Sequence, residues 1–252
     1  MDPLRTILSC IDLTSLEGTD NTERITALCR KAISYGERGL PLPAAVCIYP
    51  VFIGTARRLL KGTGIRIASV AGAFPAGQAP LSLRLEEAKY AVNEGTDEID
   101  MVISRGKLLE GDDSYVFDEI ASFREISKGI RLKVILETGE LKTDDLIRKA
   151  ARIAISAGAD FLKTSTGKVQ PGATPGSVAI LLEMIREENV KTGRKVGIKP
   201  SGGISDPSVA SGYLRLVQQV LGNGWLNPSL FRIGASRLAD AIAGEILPAS
   251  SP

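Results

Sequence analysis

Leu132-Lys133-Val134-Ile135-Leu136-Glu137 decides the fold. A short run this rich in aliphatic side chains reads as a strand. A strand of a parallel sheet is buried on both faces and should be almost continuously aliphatic. Alternation puts Val134 and Leu136 on one face and Lys133, Ile135 and Glu137 on the other. A charge therefore enters a strand that should hold none. The same break recurs outward along the chain. In 98–103, Ile99, Met101 and Ile103 share a face and Asp100 opposes them. In 161–165, Lys163 shares a face with Phe161 and Ser165; in 195–199, Val196 and Ile198 oppose Gly197 and Lys199. In 9–14, Ile11 and Leu13 oppose Asp12 and Thr14.

Together with 45–49, 66–70 and 231–234, these runs make eight strand candidates, and amphipathic stretches follow most of them. Leu81, Leu85, Ala88 and Val92 recur at helical spacing, as do Leu146, Ala150, Ile153 and Ala157, and Val178, Leu181, Leu182 and Ile185. Thr143-Asp144-Asp145 supplies cap-type residues and Ala157-Gly158 a stop. No Pro/Ser-rich linker divides the 252 residues. Unbroken β-α alternation of this length predicts an α/β protein: one (β/α)8 TIM barrel, a single domain over 1–252. The alternative, an open doubly wound sheet, calls for a Gly-rich fingerprint after its first strand, and 12–18 does not supply one.

Composition narrows the chemistry. The chain has no histidine, which excludes Ser-His-Asp and Cys-His nucleophile pairs and any histidine-ligated metal site of its own. Proton transfer falls to Lys, Asp, Glu, Tyr, Cys or water. No metal ligand set and no cofactor motif is visible. With 31 basic and 29 acidic residues the net charge is +2, too little for a nucleic-acid footprint. Residues 1–9 do not read as a signal peptide, and the apolar run at 44–53 is too short to span a bilayer, so no membrane partner is expected. Three cysteines without a CxxC (Cys10, Cys29, Cys47) fit a reducing cytoplasm.

In a barrel the aliphatic face packs on the helices and the opposite face lines the interior. Asp12, Asp100, Lys133, Lys163 and Lys199 then converge inside. Unpaired buried charge is expensive, and perturbed charges gather at functional sites. Two other readings stand beside this one: an ion-pair network that fixes the barrel register, or residues at solvated strand ends. Lys163 and Lys199 fall on consecutive strands, ~4.8 Å apart. Two ammonium groups that close repel, which favours a neutral amine on one of them. A neutral amine attacks a carbonyl to give an imine, an electron sink that lets a neighbouring carbon–carbon bond break. Asp100 is placed to pass the proton.

Gly-containing segments follow the last three strand candidates: Ser165-Thr166-Gly167-Lys168, Ser201-Gly202-Gly203-Ile204-Ser205 and Gly234-Ala235-Ser236-Arg237. Loops in these places of an α/β barrel bind phosphate through backbone N–H groups, and Lys168 and Arg237 add charge. Cys47 reads as a buried structural cysteine and Trp225 as a loop packing residue. Residues 72–77 read as a top-face loop.

Cys47-Ile48-Tyr49-Pro50, Glu137-Thr138-Gly139-Glu140-Leu141, the segment 159–167 containing Phe161-Leu162-Lys163-Thr164-Ser165-Thr166-Gly167, and Gly197-Ile198-Lys199-Pro200-Ser201-Gly202-Gly203 resemble the 2-deoxyribose-5-phosphate aldolases. The resemblance runs from about Asp12 to about Arg237. It implies reversible, metal-independent cleavage of 2-deoxy-D-ribose 5-phosphate to D-glyceraldehyde 3-phosphate and acetaldehyde, as in deoxyribose phosphate catabolism. It implies that Lys163 forms the Schiff base, that Lys199 lowers its pKa, and that Asp100 relays protons with a water. It also implies that Asp12 and Lys133 support them, and that Gly167, Lys168, Gly202, Gly203, Gly234 and Ser236 bind the phosphate. A homodimer or a monomer is expected. The chain departs from some relatives at Ser205, where they carry a basic residue, at Arg237, where they carry serine, and at 249–252, where they end in a tyrosine. Three rival readings are a lysine-dependent aldolase for another sugar phosphate, a barrel that binds sugar phosphates without catalysis, and an isomerase using Asp100 or Glu137.

Overall fold

The computed structural model describes residues 2–247; the expectation for 249–252 and the outermost ends of the 1–252 span lie outside them. The strands are β1 (Ile11–Thr14), β2 (Ala45–Ile48), β3 (Arg66–Ala71), β4 (Glu98–Val102), β5 (Arg131–Ile135), β6 (Phe161–Lys163), β7 (Gly197–Lys199) and β8 (Ile233–Ala235). They are parallel, in the order β7-β6-β5-β4-β3-β2-β1-β8. Bridges from Ile198 to Phe231 and from Ser201 to Gly234 close the ring. The helices are α1 (Pro3–Ser9), α2 (Thr22–Glu37), α3 (Ile53–Leu60), α4 (Leu81–Glu94), α5 (Arg105–Leu109), α6 (Asp113–Ile126), α7 (Thr138–Leu141), α8 (Asp144–Ser156), α9 (Pro175–Thr192), α10 (Pro207–Leu221) and α11 (Leu238–Ile246). The barrel is the expected (β/α)8 architecture. Among the described residues no helix is long and apolar enough to cross a membrane.

Local chemistry sets the boundaries. Asp2 accepts from the Leu4 and Arg5 N–H groups and Pro3 stands at N1, so residues 3–9 are a helix and β1 starts at Ile11, not at Ser9. Thr143 caps α8 by accepting from Leu146 N–H, as its sequence implied. The buried face of α8 is Ile147, Ala150, Ala151, Ala154 and Ile155; of the predicted stripe Ala150 and Ala157 are in the core, and Leu146 and Ile153 lie at its edge. β5 ends at Ile135 and not at Glu137, because Glu137 adopts a left-handed conformation (φ 54°) and starts α7. β6 likewise ends at Lys163, two residues earlier than expected.

The outward faces of the strands (Leu13, Val46, Ile99, Val134, Ile198 and their neighbours) pack under the helices in one continuous core. Each such side chain stabilises the fold by about 1.5–3 kcal/mol. The interior is divided. On the β2–β3 side, Ala45, Cys47, Ala68 and Val70 form a small separate apolar cluster with Leu16. From β4 round through β8 to β1, the interior carries buried charge.

Candidate active site

Register builds the site. Lys163 pairs with Lys199 across β6 and β7, and Asp100 with Lys133 across β4 and β5. Inward alternation then brings all five predicted residues to one place. Lys163 Nζ and Lys199 Nζ both donate to Asp100 Oδ2, at 2.8 and 2.6 Å. Lys133 Nζ donates to Asp100 Oδ1 at 2.6 Å. Lys199 Nζ also meets Asp12 Oδ2 at 2.5 Å. All five are buried, so the reading of solvated strand ends does not hold; the ion-pair reading and the cluster reading describe the same object.

Two members escaped the sequence reading. Glu98 lies 2.6 Å from Lys133 Nζ, and Arg232 donates to Asp12 Oδ1 at 2.5 Å and to Glu98 Oε1 at 2.6 Å. Both follow the alternation already in use, since Glu98 is two residues before Asp100 and Arg232 two before Gly234. The ring of Phe161 lies between the guanidinium groups of Arg131 and Arg232, with centroid distances of 5.4 and 5.9 Å. A Cβ on Gly197 would overlap that ring, which explains glycine in the middle of the charged half.

The electrostatics separate the two lysines. For Lys199, burial opposes charge, but Asp100 and Asp12 outweigh it and hold the group above the ordinary lysine value. For Lys163, burial is the largest influence; Asp100 opposes it, Lys199 adds like-charge repulsion, and the result lies below the ordinary value. The repulsion expected from spacing alone is thus present but second to desolvation, and both ammonium groups share one carboxylate oxygen. Burial opposes ionisation of Asp100, yet Lys133, Lys163 and Lys199 hold it well below the usual carboxylate range. Burial pushes the Cys47 thiol up, and its Sγ lies 3.9 Å from Asp100 Oδ2, so Cys47 is a neutral wall residue.

Above the cluster, at the carboxyl ends of the strands, lies a groove of about 210 Å³. Lys163 is the one member of the buried cluster that lines it. All six predicted phosphate residues (Gly167, Lys168, Gly202, Gly203, Gly234 and Ser236) line it too, with Ser205 and Arg237. Thr14, at the end of β1, and Leu16 and Glu17, from the loop that follows, complete it; the two loop residues were not anticipated. Gly202 (φ 89°) packs its backbone on Gly172, leaving no room for a side chain. A Cβ on Gly234 would sit 3.2 Å from Lys199 Cε and 2.9 Å from Ser201 Cβ, so this glycine also makes space for the lysine stem. Lys168 Nζ is paired with Glu17 at 3.0 Å, whereas Arg237 makes no ion pair among the described residues.

Glu137 is buried with its pKa raised chiefly by burial. Its carboxylate accepts from the Thr166 N–H at 3.3 Å and from the Thr166 hydroxyl at 2.5 Å. It braces the loop that carries Gly167 and Lys168. The 72–77 loop is pinned from below: Glu87 accepts from the Gly72 and Ala73 N–H groups, Arg84 donates to Gly72 O, and Phe74 meets Tyr49 edge-on.

A parallel α/β barrel with a groove at the carboxyl ends of its strands, floored by a buried lysine, is the architecture of barrel enzymes, whose sites lie at that face. Known proteins narrow the class. The chain belongs to the DeoC/LacD family of aldolases, whose family model matches residues 6–218. It is 44% identical over 249 residues to the deoxyribose-phosphate aldolase of Homo sapiens, covering 94% of this chain and 78% of that one. The Bos taurus deoxyribose-phosphate aldolase is 43% identical over 252 residues, with 95% and 79% covered. The structure of a deoxyribose phosphate aldolase from Aeropyrum pernix, described as a unique tetramer, superposes with a TM-score of 0.77 at 27% identity, covering 96% of this chain and 92% of that one.

Proposed function

We propose that this aldolase cleaves 2-deoxy-D-ribose 5-phosphate reversibly to D-glyceraldehyde 3-phosphate and acetaldehyde through an imine on Lys163. One observation carries the assignment of the nucleophile. Of the buried charged side chains among the described residues, Lys163 alone opens onto the groove, and burial holds its pKa below the ordinary lysine value. The free amine adds to the aldehyde carbon of the open-chain sugar, and loss of water gives a protonated imine. Removal of the C3 hydroxyl proton then breaks the C2–C3 bond. The bonding pair flows into the imine to leave an enamine, and glyceraldehyde 3-phosphate departs. Protonation of the enamine carbon and hydrolysis release acetaldehyde and restore the amine.

Asp100 is the proton relay in this reading, with a water. In the free site its Oδ2 accepts from both lysines. An imine nitrogen keeps at most one of the three ammonium hydrogens, so Oδ2, still held by Lys199, gains an open lone pair that can take a proton. Lys199 stays charged and holds Asp100 in place; Asp12 and Lys133 anchor it from below. The phosphate is held by backbone N–H groups near Gly167, Gly202, Gly203 and Gly234, by Ser236, and by Lys168 and Arg237. Arg237 supplies here the charge that some relatives place at the position of Ser205. The engagement of Glu137 with Thr166 speaks against its use as an isomerase base. Every residue of this scheme comes from one chain, so a monomer or homodimer suffices. Three buried unpaired cysteines fit a cytoplasmic location.

Borohydride reduction in the presence of acetaldehyde tests the reading. An ethyl group on the Lys163 peptide, absent in Lys163→Ala together with cleavage activity, is the expected result. A folded protein that yields no adduct on Lys163 removes the imine mechanism.

A further inference from the structure

Arg232 and Glu98 touch neither the groove nor the lysine at its floor, yet they belong to the same charged column. We propose that these two are positioning residues that set the net charge under which Lys163 gives up its proton; the proposal rests on the imine reading above.

The buried column holds three carboxylates (Asp12, Glu98 and Asp100) and four bases (Lys133, Lys163, Lys199 and Arg232). With every group ionised it carries one surplus positive charge. Arg232 cannot shed it, because a guanidinium keeps its proton at any pH the fold survives. It is also the most firmly held base: it donates to Pro228 O at 2.5 Å, to Asp12 Oδ1 at 2.5 Å and to Glu98 at 2.6 and 3.1 Å. Lys133 lies among all three acids, at 2.6 Å from Glu98, 2.6 Å from Asp100 and 3.4 Å from Asp12. Lys199 lies between two, at 2.5 and 2.6 Å. Lys163 touches a single carboxylate oxygen, which it shares with Lys199. The surplus is therefore relieved at Lys163.

Arg232 creates that surplus. It takes one oxygen of Asp12 and both of Glu98 into its own pairs, so Lys133 and Lys199 share those two acids with it while both also pair with Asp100. Without it the column would hold three acids and three bases, and Lys163 would keep its proton. Glu98 acts in the opposite sense, since removing its charge adds to the surplus. The groups bearing on Lys163 from the surrounding strands are Asp12 on β1, Cys47 on β2, Asp100 on β4, Lys133 on β5 and Lys199 on β7. Cys47 is neutral, its thiol pushed up by burial. At the lower mouth Arg131 and Arg66 approach Glu98 Oε1 at 2.9 and 3.5 Å. Both reach solvent, which screens their charge, so they stay outside the count of the buried column.

The test compares Arg232→Met with Glu98→Gln. Titration of Lys163 is read by trace acetylation with acetic anhydride and peptide mass spectrometry from pH 5 to 11. Borohydride trapping of acetaldehyde is followed in parallel. A buried unit charge at this remove is worth about one pH unit at an effective dielectric of about 20. In Arg232→Met the Lys163 midpoint moves up by about one unit, and trapping on the acid side falls about tenfold. In Glu98→Gln it moves down by a similar amount, and trapping at low pH rises. Arg232→Lys returns the midpoint towards that of the parent protein. A merely structural role lowers activity in both variants and leaves the midpoints alone. Midpoints that stay put, or that move in the same direction, in proteins with intact circular dichroism overturn the proposal. If Arg232→Met fails to fold, the near-isosteric Glu98→Gln decides: a midpoint that does not fall overturns it. Acetylation needs no imine, so the two readings fail separately. Opposite midpoint shifts without any ethyl adduct sink the aldolase mechanism alone, and an adduct without those shifts sinks this inference alone.

Discussion

Lys199→Met is the substitution with the most to say about the site. Lys199 Nζ meets Asp100 Oδ2 at 2.6 Å and Asp12 Oδ2 at 2.5 Å, and its stem passes beside Gly234. Methionine keeps much of that stem and removes the charge. Lys163 then loses its like-charged neighbour and has Asp100 Oδ2 to itself at 2.8 Å. Both changes raise its pKa towards the ordinary lysine value of 10.5. A lysine with that value is neutral to about one part in a thousand at pH 7.5. About a thousandfold is therefore the ceiling on the loss of kcat/KM at that pH. The rate should climb about tenfold per pH unit as the missing free amine returns. Breaking a buried pair by removing one partner costs about 3–5 kcal/mol. The lower end is expected here, because Asp12 keeps Arg232 at 2.5 Å and Asp100 keeps Lys133 at 2.6 Å. Initial cleavage rates between pH 5.5 and 10, with a thermal melt of the same preparation, check both parts. A uniformly lowered profile whose acid limb stays in place would refute the electrostatic reasoning and leave Lys199 a structural residue.

Three further outcomes are expected. Gly197→Ala forces a methyl group into the Phe161 ring between two guanidinium groups, so it should destabilise the barrel by about 1–3 kcal/mol, read as a fall in melting temperature of several degrees. Glu17→Gln releases Lys168 from its 3.0 Å partner at the groove. It should lower KM for the phosphorylated sugar a few-fold and leave KM for free 2-deoxyribose unchanged; equal changes for both would place Glu17 outside the phosphate subsite. Asp12 and Asp100 are held below the usual carboxylate range against burial by the surrounding cations. The stability they contribute is present above their unfolded value of about 3.9 and is lost as pH falls through their folded values, so melting temperature should drop steeply below about pH 4 and stay level between pH 5 and 7.

The alternation of Lys133 against Val134, and of Lys199 against Ile198, was enough to read the barrel and the inward set from the chain alone. Period-two alternation survives any error of strand length, so five charged residues could be placed on the correct face even where the ends were wrong. The ends failed for local reasons. Glu137 extends an aliphatic run in composition, but its left-handed backbone turns the chain out of the sheet. Ser9 looked like strand because its neighbours are apolar, although Asp2 and Pro3 already spelled a helix start. Glu98 and Arg232 stood at the edges of their predicted strands, where a charge reads as a boundary. What no spacing could show is that two lysines on neighbouring strands would converge on one oxygen of Asp100. That depends on side-chain reach across the barrel. The participation of Glu17 in the groove was hidden in the same way, since the loop after β1 meets the loop after β6 only in the closed ring.

Under the imine mechanism proposed above, the divided interior lets one site serve opposite demands. The amine must be neutral to attack, and the imine that follows must carry positive charge to draw electrons from the breaking bond. On one side of the interior stands the small apolar wall of Ala45, Cys47, Ala68 and Val70, with Cys47 beside Lys163, and it withholds solvation from charge. On the other, Lys163 faces a column whose three acids and three other bases already balance, so a charge on Nζ is the surplus one. Both features disfavour an ammonium at Nζ, and both disfavour the protonated imine for the same reason. That second effect is no defect. A protonated imine held in an unfavourable field is a stronger electron sink, because the neutral enamine formed as the bond breaks relieves the same excess charge. The field that frees the amine therefore also lowers the barrier to cleavage, by raising the charged intermediate relative to the transition state in which its charge is being lost. In the proposed scheme, returning a proton to the enamine carbon falls to Asp100, the one carboxylate among the described residues that pairs with Lys163 Nζ.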